Sequence, residues 1–301
     1  MSEFLKKINS KINKLVDNFV WTNTYGFARS FIGLSLLLTL LSNDIFRLMK
    51  PFGEINDVHT ISTISKISIF YILDTNLLLA KWISIIVLIL VIIGWKPRLT
   101  GILHWWITFS FSISSFILEG GDQVAEIICL LLIPITLFDH RKFHWQNNVK
   151  VKYKESFIRD TFILFTQSVY FMISLQICYI YFNASVGKFI SEEWLNGTSI
   201  YYWFDNSVFG LSEFWRKLIY PLLENPYLIT SVTWGVLVFE LLLAASILIK
   251  SPTLRKVLLI SGIIFHLSIG VFYGLWSFFL VMTGALILYL GPKKGFIKYN
   301  S

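Results

Sequence analysis

Apolar runs long enough to cross a lipid bilayer constrain this chain more than any other feature. Of its 301 residues, 55% are hydrophobic and only 15% are charged, and the mean hydropathy is +0.66. About 20 consecutive apolar residues form a helix that spans roughly 30 Å of hydrocarbon. The polar stretches between the runs are mostly too short to be domains. The sequence therefore predicts an all-α polytopic transmembrane helical bundle that forms one membrane-embedded domain.

We expect about eight spans in this bundle. Gly270, Gly274 and Gly284 permit close packing or bending in the last two, which are short. A re-entrant pair is therefore an alternative to two full crossings, and either arrangement keeps the number of crossings even. The spans lie near residues 27–44, 76–95, 99–118, 123–138, 161–187, 228–249, 257–275 and 277–291.

The positions of Lys and Arg test this layout independently of hydropathy, since cytoplasmic segments of membrane proteins are enriched in both residues. With a cytoplasmic N-terminus, the inner segments hold most of the 26 basic residues, whereas the outer segments are acidic. We therefore expect both termini in the cytoplasm, and we interpret the net charge of +8 as an orientation signal rather than a sign of nucleic-acid binding. The inner segments are 1–26, 96–98, 139–160, 250–256 and 292–301.

The N-terminal segment 1–26 has the pattern of an interfacial amphipathic helix. Apolar residues recur at helical spacing among four lysines, as an interfacial helix requires. The first long apolar run begins too late for a cleavable signal peptide. The domain layout is then the amphipathic segment 1–26, a transmembrane domain 27–291 with an extracytoplasmic loop 188–227, and a basic cytoplasmic tail 292–301.

No metal site or disulfide is expected. Cys129 and Cys178 both lie inside apolar runs. His140 and His144 are four residues apart but have no third ligand at suitable spacing, so we interpret their basic segment as an interface anchor.

Lys188 is the most unusual ionisable residue, because it ends the fifth predicted span on the outer side. On a helix, Tyr181, Ala184 and Ser185 share its face, which places the amine beside a gap left by small residues. A lysine withdrawn from bulk water is a candidate general base. A snorkelling anchor, or a salt bridge to Glu192 one turn on, is the alternative.

Asp122 and Glu126 follow the tight outer turn "EGGD" between the third and fourth spans. A carboxylate at a helix N-terminus is a favoured cap, which explains Asp122. Capping does not explain Glu126, which lies one turn further into the apolar run.

Glu240 and His266 lie midway along the sixth and seventh predicted spans. An isolated glutamate at membrane depth must be neutral or partnered. Consecutive helices usually pack together, so His266 is a candidate partner for Glu240. The alternative for His266 is an ordinary packed, hydrogen-bonding residue.

The order of these features resembles the HTTM family, the membrane domain shared with vitamin K-dependent gamma-carboxylase, and within it the sporulation-delaying protein B branch. The similarity covers nearly the whole chain. Its strongest part is a lysine-then-tryptophan-glycine-aromatic segment, and a second part is a late histidine helix with His266 and Gly274. The matching stretches are 184–188, Glu192–Glu193–Trp194, Gly197, Tyr201–Tyr202, "FHLSIGVFYGLWSFFLVM", "FARSFIGLSLLL" and "EGGD".

In the carboxylase, the corresponding lysine deprotonates a reduced quinone, whose reaction with O2 gives a base strong enough to act on a glutamate side chain, to which CO2 then adds. The resemblance thus implies a reduced quinone cofactor, either menaquinone or a vitamin K-like molecule. It implies Lys188 as the catalytic base and His266 as a candidate for orienting the quinol or stabilising its anion. The substrate- or quinone-binding candidates are Asp122, Glu126, Trp194, Tyr201, Tyr202 and Glu240.

The carboxylase also has a large lumenal domain that holds its peptide substrate, and this chain stops soon after its last predicted span. Glutamate carboxylation is therefore not expected. The sporulation-delaying branch implies instead maturation of a secreted peptide precursor, an antimicrobial toxin, together with a small SdpA-like partner protein. The expected location is the bacterial cytoplasmic membrane, as a multi-pass protein in contact with lipid.

Two other function classes fit the residues. A non-catalytic membrane scaffold or immunity receptor for a toxin precursor would not need the lysine. A small proton-coupled transporter would use Glu240 and His266 as a proton relay, although no inverted repeat is evident.

Overall fold

A computed structural model describes residues 21–49, 64–146, 156–207, 210–292 and 295–296. Within these ranges every regular element is helical. Two isolated β-bridges, Met49 to Ser115 and Trp95 to Phe143, tie loops together at opposite ends of the bundle. The predicted all-α class is confirmed for the described part of the chain.

Thirteen α-helices lie in the described ranges. They are α1 (Asn23–Ser42), α2 (Ile45–Leu48), α3 (Ile69–Ile72), α4 (Leu77–Ile93), α5 (Pro97–Ser114), α6 (Gly120–Leu137), α7 (Ser156–Lys188), α8 (Glu192–Leu195), α9 (Ser199–Phe204), α10 (Glu213–Leu223), α11 (Pro226–Ala245), α12 (Pro252–Tyr273) and α13 (Trp276–Leu290).

Eight of these helices coincide with the eight predicted spans to within a few residues, and six are long and apolar enough to cross a membrane. The protein is therefore a multi-pass membrane protein. The other two are α5, whose Thr, Ser and His residues lower its hydropathy, and α13, which has 15 residues and is about 22 Å long. Eight complete crossings thus remain a prediction. The six are Asn23–Ser42, Asp74–Ile93, Gly120–Leu137, Asp160–Lys188, Pro226–Leu248 and Pro252–Tyr273.

Local sequence signals place the helix ends. Asn225 accepts hydrogen bonds from the first backbone N–H groups of α11, and Pro226 follows it at the first helical position. Ser251 and Pro252 begin α12 in the same way. Gly274 ends α12 with a φ of +74°, a left-handed conformation that favours glycine.

The short helix α13 lies at the centre of the bundle. Every side chain from Leu280 to Leu290 is buried, and the helix packs against α1, α12, α6 and α7. Close approach to α1 depends on Gly284, whose missing Cβ would lie 2.9 Å from the carbonyl oxygen of Ala28. A helix buried on all sides needs no polar face, which explains its uniform apolar sequence.

The first and last helices meet at one end of the bundle, which we name the terminal end. Thr24 donates a hydrogen bond to the Pro292 carbonyl at 2.8 Å, and Asn23 accepts one from the Phe296 N–H at 2.7 Å. The opposite end, named the loop end, carries residues 189–207 and 210–225. Which end faces the cytoplasm remains a prediction. Residues 1–20 of the predicted interfacial segment, and most of the tail 292–301, lie outside the described residues.

The buried side chain of His144 contacts several residues at the terminal end. Its ring packs against Gly26 and Gly94, and its nitrogens lie 3.4 Å from Arg29 Nη1 and Ser30 Oγ. Burial lowers the pKa of His144 to about 2, and the nearby Arg29 guanidinium adds to this effect. A neutral ring is thus expected here.

The surrounding segment was interpreted above as an interface anchor, which stays a prediction, but two of its polar residues pack inside the protein. Asp139 and Arg141 are buried and form a two-point ion pair at 2.8 Å. The segment therefore packs into the protein.

Gly284 and Gly235 provide a matched test of the contact between α13 and α1. Gly284→Ala should lower the midpoint of thermal unfolding in detergent, because the new methyl group meets backbone, and such overpacking costs about 1–3 kcal/mol. Gly235→Ala should leave the midpoint unchanged or raise it, since nothing lies within 4 Å of its Cβ position and alanine is the better helix former. Equal midpoints for the two variants would argue against the close packing.

Candidate functional site

Lys188 and Glu240 form an ion pair between the end of α7 and the C-terminal half of α11. The lysine Nζ lies 2.7 Å from both carboxylate oxygens of Glu240. The two side chains are 23% and 9% exposed, so the pair is largely withdrawn from the surface. Because α7 and α11 are both candidate spans, this is a charge pair on membrane helices.

Two further contacts hold the lysine amine. Nζ donates a hydrogen bond to the Ala184 carbonyl at 3.1 Å and lies 5.2 Å from the centre of the Trp194 ring. The side chain thus points back along its own helix, as helical side chains do, instead of forward to Glu192. Glu192 is exposed, and the alternative salt bridge between it and Lys188 is not formed.

His266 pairs with Tyr181 instead of Glu240. The Tyr181 hydroxyl lies 2.8 Å from His266 Nε2, and both residues are 2% exposed. The prediction that Glu240 and His266 are partners is therefore wrong. The other ring nitrogen, Nδ1, is buried and has no hydrogen-bond partner among the described residues.

The two pairs share one face of α7. Tyr181 and Lys188 are seven residues apart, which is two helical turns or about 10 Å. Between them, Ser185 donates a hydrogen bond to the Leu237 carbonyl of α11 at 3.0 Å and fixes the two helices together. The shared face predicted from sequence is confirmed, and Tyr181 is a site residue whose role sequence reasoning missed.

Asp122 caps helix α6. Its carboxylate accepts a hydrogen bond from the Glu119 N–H at 3.0 Å, and the Glu119 side chain reciprocates in a capping box. Glu119 also accepts a hydrogen bond from Ser277, and the next residue, Phe278, packs its ring 5.5 Å from that of His266. The turn thus helps to hold Phe278 against the His266 ring, while Asp122 itself serves as a helix cap.

Glu126 lies one turn further along α6 and is half-buried. It has no ion-pair or hydrogen-bond partner in the part of the chain that the structure describes. The structure therefore does not bring Glu126 together with Lys188 or His266.

The aromatic segment after Lys188 covers the site in part. Trp194 is half-buried above the lysine, whereas Tyr201 lies further away and has its hydroxyl 3.2 Å from that of Tyr220. Tyr202 is exposed. The Ser191 hydroxyl donates to Glu193 and lowers the pKa of that carboxyl, which keeps a negative charge at the loop end.

The described residues contain no group of three or more His, Cys, Asp or Glu side chains that is arranged to hold a metal ion. Cys129 and Cys178 are both free thiols on different helices. Cys178 donates to the Ala244 carbonyl and contributes to the contact of α7 with α11.

Two Bacillus subtilis (strain 168) proteins are similar to this chain over nearly its full length. The uncharacterized protein YitO is 35% identical over 299 residues, which is 98% of this chain and 94% of YitO. The sporulation-delaying protein SdpB is 36% identical over 295 residues, which is 98% of this chain and 89% of SdpB. The chain belongs to the SdpB-like family. No family model and no solved structure matches it, so membership of the wider HTTM family remains a prediction.

The ion pair can be tested with a double-mutant cycle on unfolding in detergent. Lys188→Met should destabilise the protein by about 3 kcal/mol, because it leaves the more buried carboxylate without its partner. Glu240→Leu should cost less, since the lysine amine is nearer the surface and can reach water. The double variant should be more stable than the sum of the two effects predicts. Additive effects would mean that the two groups do not interact.

Proposed function

We propose that this SdpB-like protein is a membrane enzyme that takes part in the maturation of a secreted peptide, with Lys188 as its base. The single observation that carries the proposal is the pairing of Lys188 with Glu240 inside the bundle, on the helix face that also carries Tyr181. Charged groups at membrane depth are costly, so a retained pair there indicates function. The name of the relative SdpB, a sporulation-delaying protein, agrees with a role in a toxin pathway.

The Lys188–Glu240 pair can hold and move a proton. As paired, the amine carries the proton that the carboxylate attracts. Lys188 becomes a base when that proton passes to Glu240, which is 2.7 Å away and needs no rearrangement of either side chain. Glu240 is thus the proton acceptor of the pair, and the Ala184 carbonyl keeps the amine oriented.

The residues around His266 fit a reduced quinone. The free Nδ1 offers one hydrogen-bonding group to a hydroxyl, and the rings of Phe265 and Phe278 lie 5.0 and 5.5 Å from the histidine ring. Sites for small ring ligands are typically lined by aromatic side chains with a few placed polar groups, and these residues offer both kinds of contact. When bound, a hydroquinone would supply an acidic hydroxyl and, with O2, an oxidation that yields a stronger base.

Two residues of the chain would organise such a site. Tyr181 holds the orientation of His266 through the 2.8 Å hydrogen bond between its hydroxyl and Nε2. Trp194 covers the amine and limits the access of water, which would quench a base strong enough to act on carbon. The peptide precursor and a small partner protein would approach from the loop end.

A lysine-to-arginine exchange separates the base from the salt bridge. Lys188→Arg should retain much of the thermal stability, because arginine can still pair with Glu240, but it should abolish maturation, because arginine cannot give up its proton at physiological pH. The gene is deleted in its native host and restored as wild type or variant, and the masses of the exported peptides are measured.

Lys217→Arg is the matched control, since Lys217 is an exposed lysine of the same loop region and pairs with Glu213. It should restore the wild-type peptide mass. If Lys188→Arg also restored a peptide of native mass and toxicity, the lysine would be structural and the enzymatic proposal would be wrong. A scaffold or receptor would give that result.

A further inference from the structure

Helix α11 extends beyond the end of α7 at the loop end. Cys178 donates a hydrogen bond to the Ala244 carbonyl, and Ser185 donates one to the Leu237 carbonyl. Seven residues forward along α7 therefore correspond to seven residues back along α11. By this register Lys188, the last residue of α7, lies at the same level along the helix axes as Trp234. Residues 226–233 therefore reach about 12 Å past the end of α7.

The segment between α7 and α11 folds alongside these projecting turns. Gly197 lies against Thr230 so closely that its missing Cβ would be 2.7 Å from the threonine side chain. The Ile200 N–H donates to Thr233 Oγ1 at 3.4 Å, and α9 and α10 both pack against α11. Because Pro226–Leu248 is itself a candidate span, this segment lies beside a membrane helix.

Helix α10 has two apolar faces, and the described residues of the protein cover only one of them. Trp215 packs its ring 5.2 Å from that of Phe272 at the end of α12, and Leu223 is buried. Phe214 and Leu218 lie one turn apart on the neighbouring face and are 70% and 60% exposed. Lys217, on the polar side, is exposed and pairs with Glu213.

We propose that α10 is an interfacial helix that lies in the lipid leaflet at the loop end, with Phe214 and Leu218 among the lipid acyl chains. The exposed apolar surface of α11, which includes Val232 and Trp234, is the lipid-facing side of a span, and α10 is joined to this span by two residues, 224–225. A helix with an apolar stripe and a charged face adopts this position.

This placement also sets the depth of the ion pair. The level of α10, and of the start of α11 to which it is joined, is that of the lipid–water interface. The Lys188–Glu240 pair lies below it, under the covering segment 189–204. A lipid-borne molecule would then reach the pair from within the leaflet, whereas a peptide would approach across α8 and α9.

Fluorophores attached at single cysteines test the position of α10 in lipid nanodiscs. The variants Phe214→Cys, Leu218→Cys and Lys217→Cys are made in the full chain with Cys129 and Cys178 replaced by alanine. The labels at 214 and 218 should emit at shorter wavelength, lose most of their fluorescence in brominated phosphatidylcholine and resist quenching by iodide. The label at 217 should show the reverse, although it is only one residue from Leu218.

Two outcomes would overturn the proposal. If iodide quenches the labels at 214 and 218 as strongly as the label at 217, the helix lies in water. If neither iodide nor brominated lipid quenches them, protein covers this face. Correct folding of each variant is checked by the retained midpoint of thermal unfolding, so loss of structure is not mistaken for either result.

Discussion

The carboxylate of Glu240 determines where the end of α7 lies. A lysine that ends a membrane helix is free to reach water by extending outward, yet Lys188 folds back along α7 to meet Glu240 at 2.7 Å. The Coulomb energy of a close pair rises as water is excluded, while the cost of an unpaired partner rises with it. Ser185 and Cys178 hold the same two helices together in one common register, because each donates a hydrogen bond to an α11 carbonyl.

The central helix α13 supplies the other constraint. It is too short for the full thickness of the hydrocarbon region, but it is surrounded by protein, so its length need not match that of the bilayer. Its N-terminal turn carries Ser277 and Phe278, which connect the Glu119 turn to the ring of His266. Helix α13 thus fills the centre of the bundle and also positions His266, one of the candidate catalytic residues.

The sequence was sufficient for the eight long helices, but not for the short helices within the predicted loops or for the partners of the polar residues. Span positions follow from hydropathy and from local signals such as Asn225–Pro226, and they agree with the structure within a few residues. The predicted partner of Glu240 was wrong because we expected helices α11 and α12, which are consecutive, to pack together. In the structure α11 packs mainly against α7, and α12 packs mainly against α13. No local pattern shows which face of α11 turns to which neighbour. The apolar face of α10 can be recognised in the sequence. The part of it that is packed against protein cannot, because it depends on a contact with Phe272, about 50 residues away in the chain.

The geometry favours treating Lys188 and Glu240 as one functional group. The ammonium is complemented on three sides, by a carboxylate, a carbonyl and an aromatic ring. A base in this position must release its proton to a nearby acceptor, and among its described contacts the carboxylate is the group that accepts one most readily. The Tyr181–His266 pair lies on the same face of α7 and keeps one nitrogen, Nδ1, without a hydrogen-bond partner among the described residues. A proton-relay transporter needs Glu240 and His266 in line, but each is bonded to a residue of α7 instead. The arrangement therefore suits a base next to a binding group better than a continuous proton path.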